Sequence, residues 1–189
     1  MGEEPRHRAL ILLGSNIDRE RNIPQAVQML SSHPALRLLA SSDLYESAAV
    51  GGTGPQPRFS NSAALVETGL APAALRDTLR EIEAALGRVR IADKYAPRPI
   101  DLDIVLYDSF VGDVAESRIP DPDLLRFAHI AVPCAEIAPD WVHPATGQTL
   151  QEISTGVDSG SLHSISGTRQ HNGDPISRQA ERLVYGDLK

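Results

Sequence analysis

Arg8 to Gly14 (RALILLG) is an apolar run closed by a glycine, the pattern of a strand buried on both faces. After a charged stretch from Ser15 to Arg21, Asn22 and Pro24 mark a helix start, with Ala26, Val27 and Leu30 at helical spacing and His33-Pro34 as the stop. The mixed run Leu36 to Tyr45 predicts a second strand whose end is blurred by Ser41, Ser42 and Asp43. Ala48 to Pro57 holds three glycines and two prolines and reads as a loop suited to movement. Phe59 to Glu67 predicts a third strand.

Pro72 opens the clearest helix, in which Leu75, Leu79, Ile82 and Leu86 form one apolar stripe and leave Arg76, Arg80, Glu81 and Glu83 off it. Gly87 ends that helix, and Pro99 to Tyr107 supplies a fourth strand. The order strand, helix, strand, strand, helix, strand predicts an α+β fold, a ferredoxin-like split βαβ sandwich whose antiparallel sheet carries both helices on one face. From Ile119 on, prolines divide the chain into short pieces, with a short helix expected around Val132 to Ile137. The expected organisation is one domain over residues 1–153 and a polar, disordered tail over 154–189.

Composition narrows the partners. A chain of 189 residues, 41% hydrophobic and 23% charged, suits one soluble core. No run approaches the roughly 20 apolar residues of a membrane helix, and MGEEPRHR lacks the start of a secretory signal, so the expectation is a cytoplasmic protein with no membrane partner. The lone Cys134 reads as a small core residue. A net charge of −7 and an aromatic content of 4% argue against a nucleic-acid partner.

Two features carry chemistry. In Ile100-Asp101-Leu102-Asp103-Ile104, strand alternation sends both aspartates to one face and the three apolar residues to the other. Two ionised carboxylates that close repel, and divalent cations bridged to a substrate phosphate are a simple remedy. Upstream, GRVRIADKYAPR concentrates Arg88, Arg90, Lys94 and Arg98 in an acidic protein, and guanidinium forks match phosphate oxygens. Taken singly, the pair also reads as an ordinary strand edge, and the cluster as a solvated loop paired with Glu81, Glu83 and Asp93. Together they point to metal-assisted chemistry on a nucleotide triphosphate, without a P-loop sequence.

The chain resembles the 6-hydroxymethyl-7,8-dihydropterin pyrophosphokinase family. The resemblance rests on LGSNI at Leu13 to Ile17, LYESAAVGG at Leu44 to Gly52, PRFSNSA at Pro57 to Ala63, LGRVR at Leu86 to Arg90 and KYAPRPIDLDIVLY at Lys94 to Tyr107. It extends more weakly through IPDPDL and VPCAEIAPDW. It implies transfer of pyrophosphate from ATP to a pterin alcohol, with release of AMP. Asp101 and Asp103 would hold two Mg2+ ions, and Arg88 and Arg98 would stabilise charge during transfer. Glu83, Arg88, Arg90, Tyr95, Arg98, Ile104 and Arg126 would hold ATP. Ser47, Val50, Phe59, Asn61 and His129 would form the pterin pocket, where Asn61 offers donor and acceptor together.

The chain departs from the family's pattern at Asp121, where a histidine is common, at His129, in place of a second aromatic, and at Arg80, in place of a neutral side chain. The resemblance is also compatible with a monomer whose partners are ATP and the pterin alcohol. The alternatives are a noncatalytic ferredoxin-like module binding a small ligand or a protein, and a related phosphotransferase with another acceptor alcohol.

Overall fold

The N-terminal apolar run forms β1 (His7–Ser15), and because strand side chains alternate it feeds two cores. Ala9, Ile11 and Leu13 enter one, and Leu10 and Leu12 the other. A computed structural model of the chain describes residues 6–48, 57–89, 97–160 and 162–165. Helix α1 (Arg19–Ser32) begins ahead of Asn22. The carbonyl of Asp18, itself at a φ of 43°, accepts from the N–H groups of Arg21 and Asn22 at 2.9 Å, so the first turn forms before Pro24, which lies inside the helix.

The run from Leu36 to Tyr45 divides into β2 (Leu36–Ser41) and β3 (Tyr45–Ser47). Both pair antiparallel with the long β4 (Phe59–Thr68), β2 with its C-terminal part and β3 with its N-terminal end. Helix α2 (Pro72–Ala85) starts on its proline and stops where Gly87 takes a φ of 86°. There the N–H of Gly87 donates to Ala84 and that of Arg88 to Glu83, both at 3.0 Å, which turns the chain sharply and sends Arg88 back toward the sheet.

Strand β5 (Asp101–Tyr107) pairs with β1, and the sheet runs β5-β1-β4, with β2 and β3 sharing the far edge of β4. A hairpin of β6 (Gly112–Val114) and β7 (Ser117–Ile119), a 3-10 turn at Pro122–Leu125, α3 (Ala128–Ile137) and α4 (Leu150–Gly156) follow. A last strand, β8 (His163–Ser164), pairs with β3. Helix α3 is longer than expected, because it tolerates Pro133 within it.

The split βαβ arrangement is therefore present, with α1 and α2 on one face around Ile23, Leu30, Leu75 and Leu79. The C-terminal segments add a second layer: Ile130, Ala131, Cys134, Leu150 and Ile153 cover Leu10, Ala63 and Val105 on the opposite face. The expected end of order at 153 needs correction. A Thr149–Glu152 capping box starts α4, which continues through Gly156, and β8 places Ser164 opposite Tyr45. Polar composition hid both, because a cap and a backbone ladder need no apolar side chains. Residues 166–189 lie outside the described residues. Among the described residues no helix is long and apolar enough to cross a membrane.

Candidate active site

Strand register gathers the residues singled out from the sequence. Gly14 of β1 pairs with Asn61 of β4 on one side and with Asp101 of β5 on the other; one row along, Leu12 lies between Ala63 and Asp103. Asn61, Gly14, Asp101 and Asp103 thus share the sheet face beyond the N-terminus of α3. They line a cavity of about 210 Å³ together with Ser47, Phe59, Arg98, Asp121, Asp123 and His129. Gly14 keeps the floor open. A Cβ there would stand 3.7 Å from Asn61 Oδ1, 3.9 Å from Asp101 Cβ and 4.0 Å from Phe59 Cδ1.

At about 6.5 Å two carboxylates repel by about 2.5 kcal/mol in a half-buried setting. Guanidinium groups offset this. Asp101 pairs with Arg88 through Oδ1 and with Arg98 through Oδ2, the latter at 2.5 Å. Arg76 donates to Asp103 Oδ1 at 2.9 Å. The Asp103 carboxyl is nevertheless raised to about 6, first by burial and then by the charge of Asp101. Burial also raises the Asp121 carboxyl, although its side chain accepts the N–H of Asp123 as the cap of the 3-10 turn.

Each arginine is anchored. The Arg98 backbone is clamped by Asn16, whose Oδ1 accepts its N–H at 2.8 Å, while Ser15 Oγ donates to the Pro99 carbonyl at 2.6 Å. Among the described residues β5 is the outer strand of the sheet, and side chains take the place of a neighbour. Glu83, 2% exposed, accepts the Leu102 N–H at 2.8 Å; Arg76, 5% exposed, donates to the Leu102 carbonyl at 2.9 Å; and Arg88 donates to the Ile100 carbonyl at 2.8 Å.

Arg76 and Glu83 were expected off the buried stripe of α2 and are buried instead. The readable signal was their spacing: Arg76, Arg80 and Glu83 fall at i, i+4 and i+7, one helix face. Glu83 sits behind Asp101 and contributes no lining to the cavity, while the Ile104 side chain lies in the core on the α1 and α2 side. Arg126 is exposed and pairs with Asp123 at 3.1 Å. Arg80 pairs with Glu116. Val50, Arg90 and Tyr95 lie outside the described residues.

On the opposite wall, Asn61 is 3% exposed, and its Nδ2 donates to Ser47 Oγ at 2.9 Å and to the Tyr45 carbonyl at 3.4 Å. Both amide hydrogens thus have protein partners, and the carboxamide presents an acceptor, not the expected donor and acceptor together. Strand β3, which carries Ser47, is tied to α3 by Glu136. That carboxylate accepts the Tyr45 hydroxyl at 2.9 Å and the Asp43 N–H at 3.0 Å. Burial and then this hydrogen bond push the Tyr45 hydroxyl up to about 12. His129 lies 5.4 Å from the Phe127 ring, and burial lowers its pKa, which favours the neutral imidazole.

No set of three or more His, Cys, Asp or Glu side chains arranged to hold a metal exists among the described residues. Asp101 and Asp103 nevertheless set two carboxylates side by side on the β5 wall of the cavity. This suits Mg2+, which is commonly held by one or two carboxylates with phosphate and water completing its shell.

Residues 10–139 match the family described as 7,8-dihydro-6-hydroxymethylpterin-pyrophosphokinase (HPPK). The chain is 35% identical over 153 residues to a 2-amino-4-hydroxy-6-hydroxymethyldihydropteridine pyrophosphokinase of Synechocystis sp., covering 80% of this chain and 77% of that protein. To the protein of the same name from Pseudomonas aeruginosa it is 37% identical over 147 residues, covering 77% and 89%. Among solved structures, wild-type HPPK-DHPS of Plasmodium falciparum with pteroate superposes with a TM-score of 0.63 at 13% identity, a likeness of fold. That match covers 82% of this chain and 43% of the longer one.

Proposed function

The chain belongs to the 7,8-dihydro-6-hydroxymethylpterin-pyrophosphokinase family and transfers pyrophosphate to hydroxymethyldihydropterin in folate biosynthesis; from this we propose that the cavity between β4, β1 and β5 is where transfer takes place, with Asp101 and Asp103 holding two Mg2+ ions. The observation that supports the reading is the row Asn61–Gly14–Asp101, in which a carboxamide and a carboxylate flank a residue without a side chain.

Phe59 offers a ring face to the flat pterin, and Asn61 Oδ1 accepts from the N–H groups on its edge, held in that orientation by Ser47 and Tyr45. His129 and Ser47 complete this side of the cavity. On the other side Arg98, with Arg88 behind Asp101, faces the ATP phosphates with donors that remain charged at any working pH. Mg2+ bound by the aspartates would neutralise charge on the transferring group.

The substrate hydroxyl attacks the β-phosphorus; a new O–P bond forms as the bond to the α-phosphate bridging oxygen breaks, the hydroxyl proton passes to solvent water, and AMP leaves with the bridging oxygen. No covalent enzyme intermediate is needed, so the side chains position and stabilise charge. Glu83 and Arg76 support this from behind by holding β5, while Arg126 and the residues Arg90 and Tyr95 are assigned to the nucleotide. Purified protein incubated with ATP, Mg2+ and the pterin alcohol is expected to release AMP and the pterin pyrophosphate. Release of ADP, or of AMP without the alcohol, would overturn this assignment.

A further inference from the structure

Helix α2 reaches the active site from behind. Arg76, 5% exposed, gives Nη1 to both the Leu102 carbonyl and Asp103 Oδ1, each at 2.9 Å. Its Nη2 stands 4.0 Å from Glu116 Oε1, and its Nε is buried with no partner among the described residues. Glu116, at the turn of the β6–β7 hairpin, is 55% exposed and also pairs with Arg80. The Arg76 guanidinium therefore lies between a carboxylate inside the cavity and a second carboxylate outside it. Asp101 already has Arg88 and Arg98.

A buried guanidinium is stable only beside a counter-charge. A divalent cation on Asp103 would repel it strongly at this range and would compete for the same oxygens. Glu116 provides an alternative partner within a small side-chain movement, so cation binding need not leave a buried charge alone.

We propose that Arg76 is a positioning residue that acts as the resident counter-ion of Asp103, holding that carboxylate in place in the metal-free site and turning toward Glu116 as a divalent cation displaces it. The inference rests on the assignment of Asp101 and Asp103 to the metal. Its consequence is that the chain's own residues keep cation affinity moderate while the carboxylate stays oriented, which favours exchange with each turnover.

Direct Mn2+ binding tests this: Mn2+ is titrated into the full chain with an ATP analogue carrying methylene between the α- and β-phosphorus, and binding is read as loss of the free-ion paramagnetic resonance signal beyond that caused by the analogue alone. Arg76→Met, apolar and of similar length, should tighten Mn2+ binding about tenfold, because the competing cation is gone. Glu116→Gln should weaken it about threefold, because the guanidinium then has Asp103 as its main partner. Circular dichroism on each variant identifies one that has not folded. Where Arg76→Met folds, its affinity decides; where it does not, the exposed Glu116→Gln decides. If the wild type binds Mn2+ and the deciding variant matches it or shifts the opposite way, Arg76 is structural only and the inference falls. If the wild type takes up no Mn2+, the metal assignment itself falls, and this inference with it.

Discussion

Asn61 and Asp101 stand on opposite sides of Gly14 in a single row of the sheet, and both line the same cavity. Strands in a sheet are about 4.8 Å apart, so this row sets Asn61 and Asp101 two strand spacings apart. The absence of a side chain at Gly14 is what leaves that span empty.

Gly14→Val is therefore expected to keep the fold and fill the cavity. A Cβ alone meets its neighbours at 3.7 Å or more, ordinary contact, but the two further methyl groups project between Asn61 and Asp101. The expected result is a loss of pterin affinity of more than tenfold, read by fluorescence titration, with unfolding by urea shifted by about 1 kcal/mol or less. Unchanged pterin binding would show that the ring lies elsewhere.

Asn61→Ala removes the acceptor on the cavity wall and frees Ser47 Oγ. Pterin affinity should fall roughly tenfold to a hundredfold, the cost of one or two lost hydrogen bonds in a dry pocket, while binding of an ATP analogue persists. Calorimetric titration with each ligand separately distinguishes the two, and a parallel loss of both would point to general damage.

Asp101→Ala and Asp103→Ala should each abolish divalent-cation-dependent turnover with circular dichroism retained. The raised pKa of Asp103, about 6, adds a pH signature. Below that value the carboxyl is protonated and the apparent cation requirement should rise as pH falls through about 6. Stability runs the other way: the folded state takes up this proton before the unfolded chain, whose aspartates titrate near 3.9. The contribution is full below about 4 and is lost as pH rises through about 6, and Asp103→Asn should remove that slope from urea midpoints measured across the range.

Glu83→Ala should cost about 3 kcal/mol in urea unfolding, because it strips a partner from the Leu102 N–H and from Arg88 in a buried setting. Glu83→Gln, which can still accept the N–H, should cost about 1 kcal/mol. A loss for Glu83→Ala below about 0.5 kcal/mol would mean that water replaces the carboxylate at the edge of β5.

What the chain reveals unfolded is what depends on neighbours along it. Strand alternation alone places Asp101 and Asp103 together and Ile100, Leu102 and Ile104 opposite; Gly87 alone stops α2; and the apolar stripe of α2 shows which side meets the sheet. These follow from the periods of strand and helix, which act over a few residues. Pairing partners do not. The division of Leu36 to Ser47 into β2 and β3 is set by β4, and the addition of β8 is set by backbone groups left open on β3. The roles of Arg76 and Glu83 likewise arise because β5 ends the sheet beside α2, so polar side chains that would otherwise face water find its unpaired backbone and the aspartates. Asn61 is an acceptor, not an even-handed amide, because Ser47 and Tyr45 arrive from another strand. Local sequence decides which groups are available; only packing between distant segments decides which of them are already engaged when a ligand comes.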